Sequence, residues 1–226
     1  LEPLRRAGVR SLLVQHTEGF AGAPGSTRDS AVEPFHPDAT PRDAYDFTIA
    51  WESDTQYYNR NEGVRAGTGG DDTFYRHQLS IHEFVLAERD DLNIQYLVHT
   101  GDIVDSADQP HQWLNADDAY RMLDEAGLPY GVLAGNHDVL GGAADYTHYG
   151  EYFGDARFEG NPWFGGSYKN NRGHYDLISA NGLDLLVLYM GWPDNVAHTE
   201  LNSEDIAWMN SVIEQYPERH VWINLH

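Results

Sequence analysis

Apolar and polar positions alternate between two periods along this chain. Three short runs rich in β-branched and aromatic residues, Phe47 to Trp51, Ile94 to His99 and Tyr130 to Ala134, read as strands. The stretches between them have helical spacing. Phe74, Ile81, Phe84 and Val85 form the expected buried stripe of a helix ending near Arg89, capped by Asp71 or Asp72. A second helix is expected to open at Asn115 or Asp117 and to stop near Gly127. Strand, helix, strand, helix, strand is the signature of a parallel sheet with crossover helices, hence an α/β fold. Ligands of such sheets gather beyond the carboxyl ends of the strands.

After Asp138 the pattern changes. Residues 141–173 are rich in Gly, Tyr and Asn and predict a long irregular excursion over the strand ends. Tyr175 to Ser179 and Leu183 to Tyr189 then read as antiparallel strands of a second sheet, joined through Asn181-Gly182, a strong hairpin signal. Ser203, Glu204 and Asp205 start a helix whose apolar stripe is Ile206, Met209, Val212 and Ile213. Val221 to Leu225 is a last buried strand, ending at His226. Upstream, Leu1 to Val14 is a strand or short helix assigned to a preceding region, and Thr17 to Arg42 is a polar, Pro- and Gly-rich arm. The expected division is an arm or linker over 1–46 and one domain over 47–226. The first residue is Leu1 and the last lies on an apolar strand, so both ends are expected to continue into something longer.

Composition narrows the function classes. The 226 residues carry a net charge of −22 with 41% hydrophobic positions, which is a folded, strongly acidic chain. Such a charge repels nucleic-acid backbones, so duplex nucleic acid is not an expected partner. There is no cysteine, which excludes disulfides, thiolate metal sites and thiol nucleophiles. No apolar run reaches the roughly 18 residues of a membrane span, and no transmembrane segment is expected. Freedom from thiols fits an extracellular or cell-surface protein, with the cytoplasm as the alternative.

The strand ends carry the chemistry. Asp54 and Gln56 follow the first strand, Asp102 and Asp105 the second, Asn136 and His137 the third, and His226 the last. Carboxylates, amide oxygens and imidazoles form a mixed oxygen and nitrogen donor set that favours manganese, iron or zinc over soft metals. Clustered buried carboxylates repel one another unless a cation lies between them. A carboxylate shared by two cations gives a centre that polarises a phosphoryl oxygen and activates water. His99, inside a strand, reads as a hydrogen-bonded core residue, and His77 and His82 as surface or packing residues. His174 and His198 are further candidates for the pocket, whose walls are expected from Tyr57, Tyr58, Trp163, Phe164, Tyr168 and Trp192. His16 and His36 lie in the arm and carry no assigned role.

Asp54-x-Gln56, Gly101-Asp102-x-x-Asp105, Gly135-Asn136-His137-Asp138 and a strand-end His226 resemble the successive motifs of the calcineurin-like metallophosphoesterases. The resemblance runs from about Phe47 to His226. It implies a four-layer α/β/β/α sandwich with a dinuclear centre, its C-terminal part missing from this chain. It implies Asp54 and Gln56 at a first metal, Asp102 bridging, Asn136 and His226 at a second, and Asp105 orienting its neighbours. His137 is similar to the family histidine that contacts the phosphate and protonates the leaving oxygen, after in-line attack by a metal-bound hydroxide. Two departures stand out. Gln56 occupies a position that is usually histidine, which shifts metal preference away from zinc. The family's Gly-His-x-His motif is absent, so an incomplete centre with weak metal binding and slow turnover is expected.

The resulting expectation is a metal-dependent phosphoesterase with two divalent ions, acting on a small phosphomonoester or phosphodiester. A non-catalytic cell-surface binding module with a degenerate site is the alternative from another class. A nucleotidase or nuclease is a third, and the acidity argues against polymeric nucleic acid but not against nucleotides.

Overall fold

A computed structural model of the chain describes residues 12–16, 45–60, 73–139, 145–193 and 200–226. Two sheets are present. In the smaller, β2 (Thr48–Glu52), β3 (Ile94–His99) and β4 (Tyr130–Val132) run parallel in that order. The larger is built around β7 (Leu183–Met190) and β8 (His220–Leu225), which are parallel. Outside β8 lies β1 (Leu12–His16), also parallel; on the other flank, β6 (Gly173–Ala180) and β5 (Phe164–Tyr168) are antiparallel. Within the segment read as an arm, Leu12–His16 thus adds a strand to the sheet.

The elements between the strands are α1 (Gln56–Asn59), α2 (Thr73–Ala87), α3 (Pro110–Ala126), α4 (Thr147–Phe153), α5 (Asp155–Phe158) and α6 (Ser203–Gln215). Three cores separate four layers. Val85 of α2 and Trp113, Tyr120 and Leu123 of α3 pack on Leu97, Tyr130 and Val132 of the small sheet. Between the sheets, Tyr96, Val98 and Leu133 meet Ile178, Leu185, Val187, Tyr189 and Trp222. On the far side, Leu186, Leu188 and Met190 pack with Met209, Val212 and Ile213 of α6. Successive residues of β7 face opposite layers, the two-residue period of a strand buried on both sides. The α/β/β/α sandwich expected from the motifs is the fold.

Local chemistry explains most boundaries. The β6–β7 hairpin closes through Asn181 (φ 47°) and Gly182 (φ 82°), both left-handed, as a two-residue turn demands. Asn202 caps α6, its side chain accepting from the N–H groups of Glu204 and Asp205 while Asp205 accepts from Asn202 N–H.

Several expectations are corrected. Helix α3 opens at Pro110, where the missing N–H costs nothing, rather than at Asn115 or Asp117. The buried stripe of α2 is Tyr75, Gln78, His82 and Val85; Phe74 and Phe84 are about half exposed. His82 is therefore fully interior, because Glu52 at the end of β2 supplies it with a charged partner. Ile206 is exposed on α6. The excursion over 141–173 holds α4, α5 and β5 over its described part, and Tyr149, Phe153 and Phe158 enter the core. The caps Asp71 and Asp72, His36 and His198, and the side chain of His16 lie outside the described residues.

Between the sheets sits a polar cluster. Tyr96 of β3 donates to the Asp176 carboxylate of β6, and Tyr189 of β7 donates to Tyr96 at 3.0 Å. His174, expected as a pocket candidate, is instead fully buried here, stacked on Tyr189 at 4.2 Å, and burial pushes its imidazole down to about 3. Burial holds Asp176 well above the carboxylate range, against its bond from Tyr96. An acid neutral when folded but ionised when unfolded lowers stability as pH rises above about 4, by up to about 1.4 kcal/mol per pH unit. Asp176→Asn keeps the shape and the acceptor while removing the ionisation. Denaturant titrations at pH 5 and 7 should show the variant losing less stability than wild type over that interval. Equal losses would mean that Asp176 is ionised in the fold.

Candidate metal centre

Register brings the carboxyl ends of the strands level. Glu52 pairs with His99 and His99 with Val132, so the loops carrying Asp54, Asp102 and Asn136 leave the small sheet side by side. Met190 pairs with Leu225, which sends Trp192 and His226 out of the large sheet. The loops are then tied together. Asp54 N–H donates to Gly101 O at 3.0 Å, and Thr100 N–H to Glu52 O at 3.2 Å. The buried Asp138 carboxylate accepts from the N–H groups of Ile103, Val104 and Gly135 at 2.8–3.1 Å, stapling the loop after β3 to the loop after β4. Burial and the nearby Asp102 push Asp138 up to about 8, against those three bonds.

Asp54 and Asp102 both adopt left-handed backbone, at φ 55° and 57°. Among the described residues the other non-glycine cases are four asparagines and Lys169. Such conformations cost about 1–3 kcal/mol each and mark sites where geometry is imposed by function. Gly101 (φ 99°) leads into Asp102, and a Cβ there would lie 2.7 Å from His226 Nδ1.

The structure gathers Asp54, Asp102 and His226 so that one ligand atom from each lies within 4.8 Å of the others. His226 Nδ1–H donates to Thr100 O at 2.8 Å. In the neutral ring Nε2 then carries a lone pair, facing Asn136 Oδ1 at 3.1 Å and Asp102 Oδ1 at 3.5 Å. Three acceptors converging on one point repel unless a proton or a cation lies among them. Gln56 donates through Nε2 to Asp102 Oδ2 at 3.2 Å, while its buried Oε1 has no hydrogen-bond partner. Burial raises the Asp102 carboxyl above its ordinary range, a cost that an adjacent cation relieves. The donor set, the converging acceptors and the orphaned amide oxygen all fit a divalent ion.

His137 N–H donates to Asp102 Oδ1 at 3.0 Å, and its ring Nδ1–H to Asp105 O at 2.8 Å, which turns Nε2 outward. The Asp105 carboxylate lies 3.8 Å from Nδ1 and pairs with Arg60 Nε at 3.3 Å. Partial burial disfavours the imidazolium, but the Asp105 carbonyl and the Asp102 and Asp105 charges win and hold His137 above its usual value.

Sequence reasoning assigned no role to three supports. Asp138 stood inside a quoted motif, but its three bonds run to backbone, which no residue type signals. Glu52 is buried behind Asp54, accepting from Tyr120 Oη at 2.6 Å and pairing with His82 at 3.1 Å. Burial opposes its charge, yet His82 draws the carboxyl down to about 2. Arg60 carried no motif at all. His99 is the expected core histidine: it accepts from Gly101 N–H at Nδ1 and contacts Thr55 Oγ1 through Nε2 at 3.0 Å. Of the expected pocket aromatics, Trp163, Phe164 and Tyr168 pack against the cores, Tyr58 stands by His77 and Tyr57 is exposed, while Trp192 both packs on the core beneath the small sheet and meets the His226 ring at 5.8 Å.

A two-sheet α/β sandwich with acidic and imidazole donors at its strand ends defines a metallohydrolase class of site. The sequence profile of the calcineurin-like phosphoesterases matches residues 47–223, and the chain belongs to that family. It is 45% identical over 181 residues to the uncharacterized protein YvnB of Bacillus subtilis (strain 168), covering 80% of this chain and 12% of that one. The chain thus spans about an eighth of the length of that relative. Among solved structures, a dimetal phosphatase from Danio rerio aligns with a TM-score of 0.48 at 13% identity, over 80% of this chain and 69% of its own.

The tight approach of the loops gives a test. A Cβ at Gly135 would lie 2.2 Å from Asp102 Oδ1 and 2.4 Å from Asp102 N. Gly135→Ala should lower bound manganese per chain and cost about 1–3 kcal/mol, or roughly 2–12 °C in unfolding midpoint. Calorimetry and elemental analysis read both, and unchanged values would mean that the loops have slack.

Proposed function

We propose that this domain is a metal-dependent phosphoesterase that hydrolyses a small phosphomonoester or phosphodiester at the strand-end cluster. The observation that carries the reading is the convergence of Asp54, Asp102 and His226 from three separate loops, with the Gln56 amide oxygen orphaned beside them. Asp54, Gln56, Asp102, Asn136 and His226 are the residues that would hold the ions, with Asp102 between the other donors. Two bound divalent ions supply Lewis acidity at the phosphoryl oxygen and lower the pKa of the attacking water. Oxygen-rich ligation with Gln56 in place of an imidazole favours manganese or iron over zinc.

The protein's own groups do the rest. Asp138 and the backbone bonds around Gly101 hold the loops so that the donors need not reorganise when substrate arrives. His137, fixed through Nδ1 to the Asp105 carbonyl, keeps Nε2 turned outward, where it protonates the departing oxygen. The Asp105 carboxylate steadies the imidazolium from 3.8 Å.

Hydrolysis of 4-nitrophenyl phosphate and bis(4-nitrophenyl) phosphate with added manganese tests the reading and separates the monoester from the diester. Asp102→Ala should fall to background, and His137→Ala should lose about 10²–10⁴-fold. Chelation should abolish turnover and manganese restore it. Wild-type turnover in Asp102→Ala, or no hydrolysis with any divalent ion by a chain extended beyond residue 226, overturns the proposal and leaves the binding-module alternative.

A further inference from the structure

Of the donors at the strand ends, His226 has the least reason to keep its orientation. It follows β8, and its ring has one stabilising hydrogen bond, from Nδ1–H to Thr100 O at 2.8 Å. Its Nε2 faces Asn136 Oδ1 at 3.1 Å and Asp102 Oδ1 at 3.5 Å, two oxygens that repel the lone pair of the neutral ring. One bond leaves an imidazole able to turn, and that repulsion favours turning. The ring is nevertheless packed in place, with its side chain 6% exposed.

Trp192 supplies the packing. Its ring meets that of His226 at 5.8 Å between centres with the planes 69° apart, the edge-to-face arrangement that aromatic pairs favour. Trp192 is itself held on several sides. Its N–H donates to Ala134 O at 2.8 Å, two residues before Asn136, and its carbonyl accepts from Tyr146 Oη at 2.5 Å. The ring also packs on the core beneath the small sheet. At the preceding Gly191 a Cβ would lie 2.9 Å from Tyr146 Oη and 3.0 Å from Arg172 O, so the chain passes there without slack. One residue beyond β7 therefore ties the large sheet to the loop that carries Asn136, and braces the imidazole that follows β8. Its indole N–H is buried without a hydrogen-bond partner, which costs stability. Core packing by itself gives no reason to keep that unpaired donor. A ring that touches both the core and His226 does.

We infer that Trp192 is a positioning residue of the metal centre, fixing the His226 ring so that Nε2 faces Asn136 and Asp102 before an ion arrives. The inference rests on the phosphoesterase reading for what the ion then does, but the bracing is measurable in the metal-free chain.

Two measurements on the whole chain test it. Nitrogen NMR of the neutral His226 ring without metal reports which nitrogen carries the proton. Wild type should show the Nδ1–H form alone. Trp192→Leu should average the two forms as the ring turns, and Trp192→Phe should keep the single form. In calorimetric titration with manganese, Trp192→Leu should bind about 10- to 100-fold more weakly, the usual loss when the group orienting a ligand is removed, and Trp192→Phe should stay close to wild type. Phe158→Leu, in the same core, should lower the unfolding midpoint and leave both readouts unchanged. A single Nδ1–H form or undiminished manganese affinity in Trp192→Leu, or the same losses in Phe158→Leu, overturns the inference. A Trp192-dependent His226 proton position in a chain that takes up no manganese supports it while counting against the metal-dependent reading.

Discussion

The arrangement depends on one buried carboxylate and the three backbone N–H groups it satisfies. Asp138 gathers the N–H groups of Ile103, Val104 and Gly135, and so fixes the loop after β3 against the loop after β4. Peptide N–H groups at sharp loop turns have no strand or helix partner and must be satisfied or hydrated. Satisfying them from one interior acid converts two neighbouring loops into a single rigid ledge. On that ledge Gly135 approaches Asp102 within the width of a methyl group, and Asp102 is pressed to the mouth of the cluster. Glycine at 101 and 135 is thus a packing requirement imposed by the acid between them.

Charge is distributed with the same economy. The interior end of β2 places Glu52 against His82, Gln78 and Tyr120, a compensated carboxylate two residues before Asp54. A lone buried acid there would be costly, and a paired one lets the strand end in acidic residues without loss of order. In front of it, Asp54, Asp102, Asn136 and His226 present acceptors with too few donors to go round. One region of negative charge is internally neutralised, and the next is left to be neutralised by what it binds. That difference separates support from site more clearly than burial does, since Asp102 and Glu52 are both buried.

The aromatic residues divide in a similar way. Tyr149, Phe153, Phe158 and Trp113 form the hydrophobic wall beneath the small sheet, where ring area counts more than polar tips. Tyr96 and Tyr189 place hydroxyls between the sheets, Tyr189 donating to Tyr96 and Tyr96 to Asp176. Of the pocket candidates, Trp192 stands against the His226 ring, at one end of a chain of contacts running from Arg60 through Asp105, His137 and Asp102 to His226.

Much of this was legible along the chain. Two-residue and helical periods marked the central strands and helices, Asn181-Gly182 marked the hairpin, and Gly-Asp-x-x-Asp with Gly-Asn-His-Asp marked the loops that converge. These signals are local, because a strand, a turn or a left-handed glycine is chosen by residues within a few positions of it. Partner choice is not local. The identity of His82 as an interior charge depends on Glu52, thirty residues earlier; the burial of His174 depends on Tyr189 and Phe158; and the relation of Arg60 to His137 runs through Asp105. Sequence by itself determined the α/β sandwich, its family and which residues reach the strand ends. Only the tertiary structure decided which of those ends share a point in space, and which polar side chains are already satisfied, because both depend on how two separate sheets close over a common core.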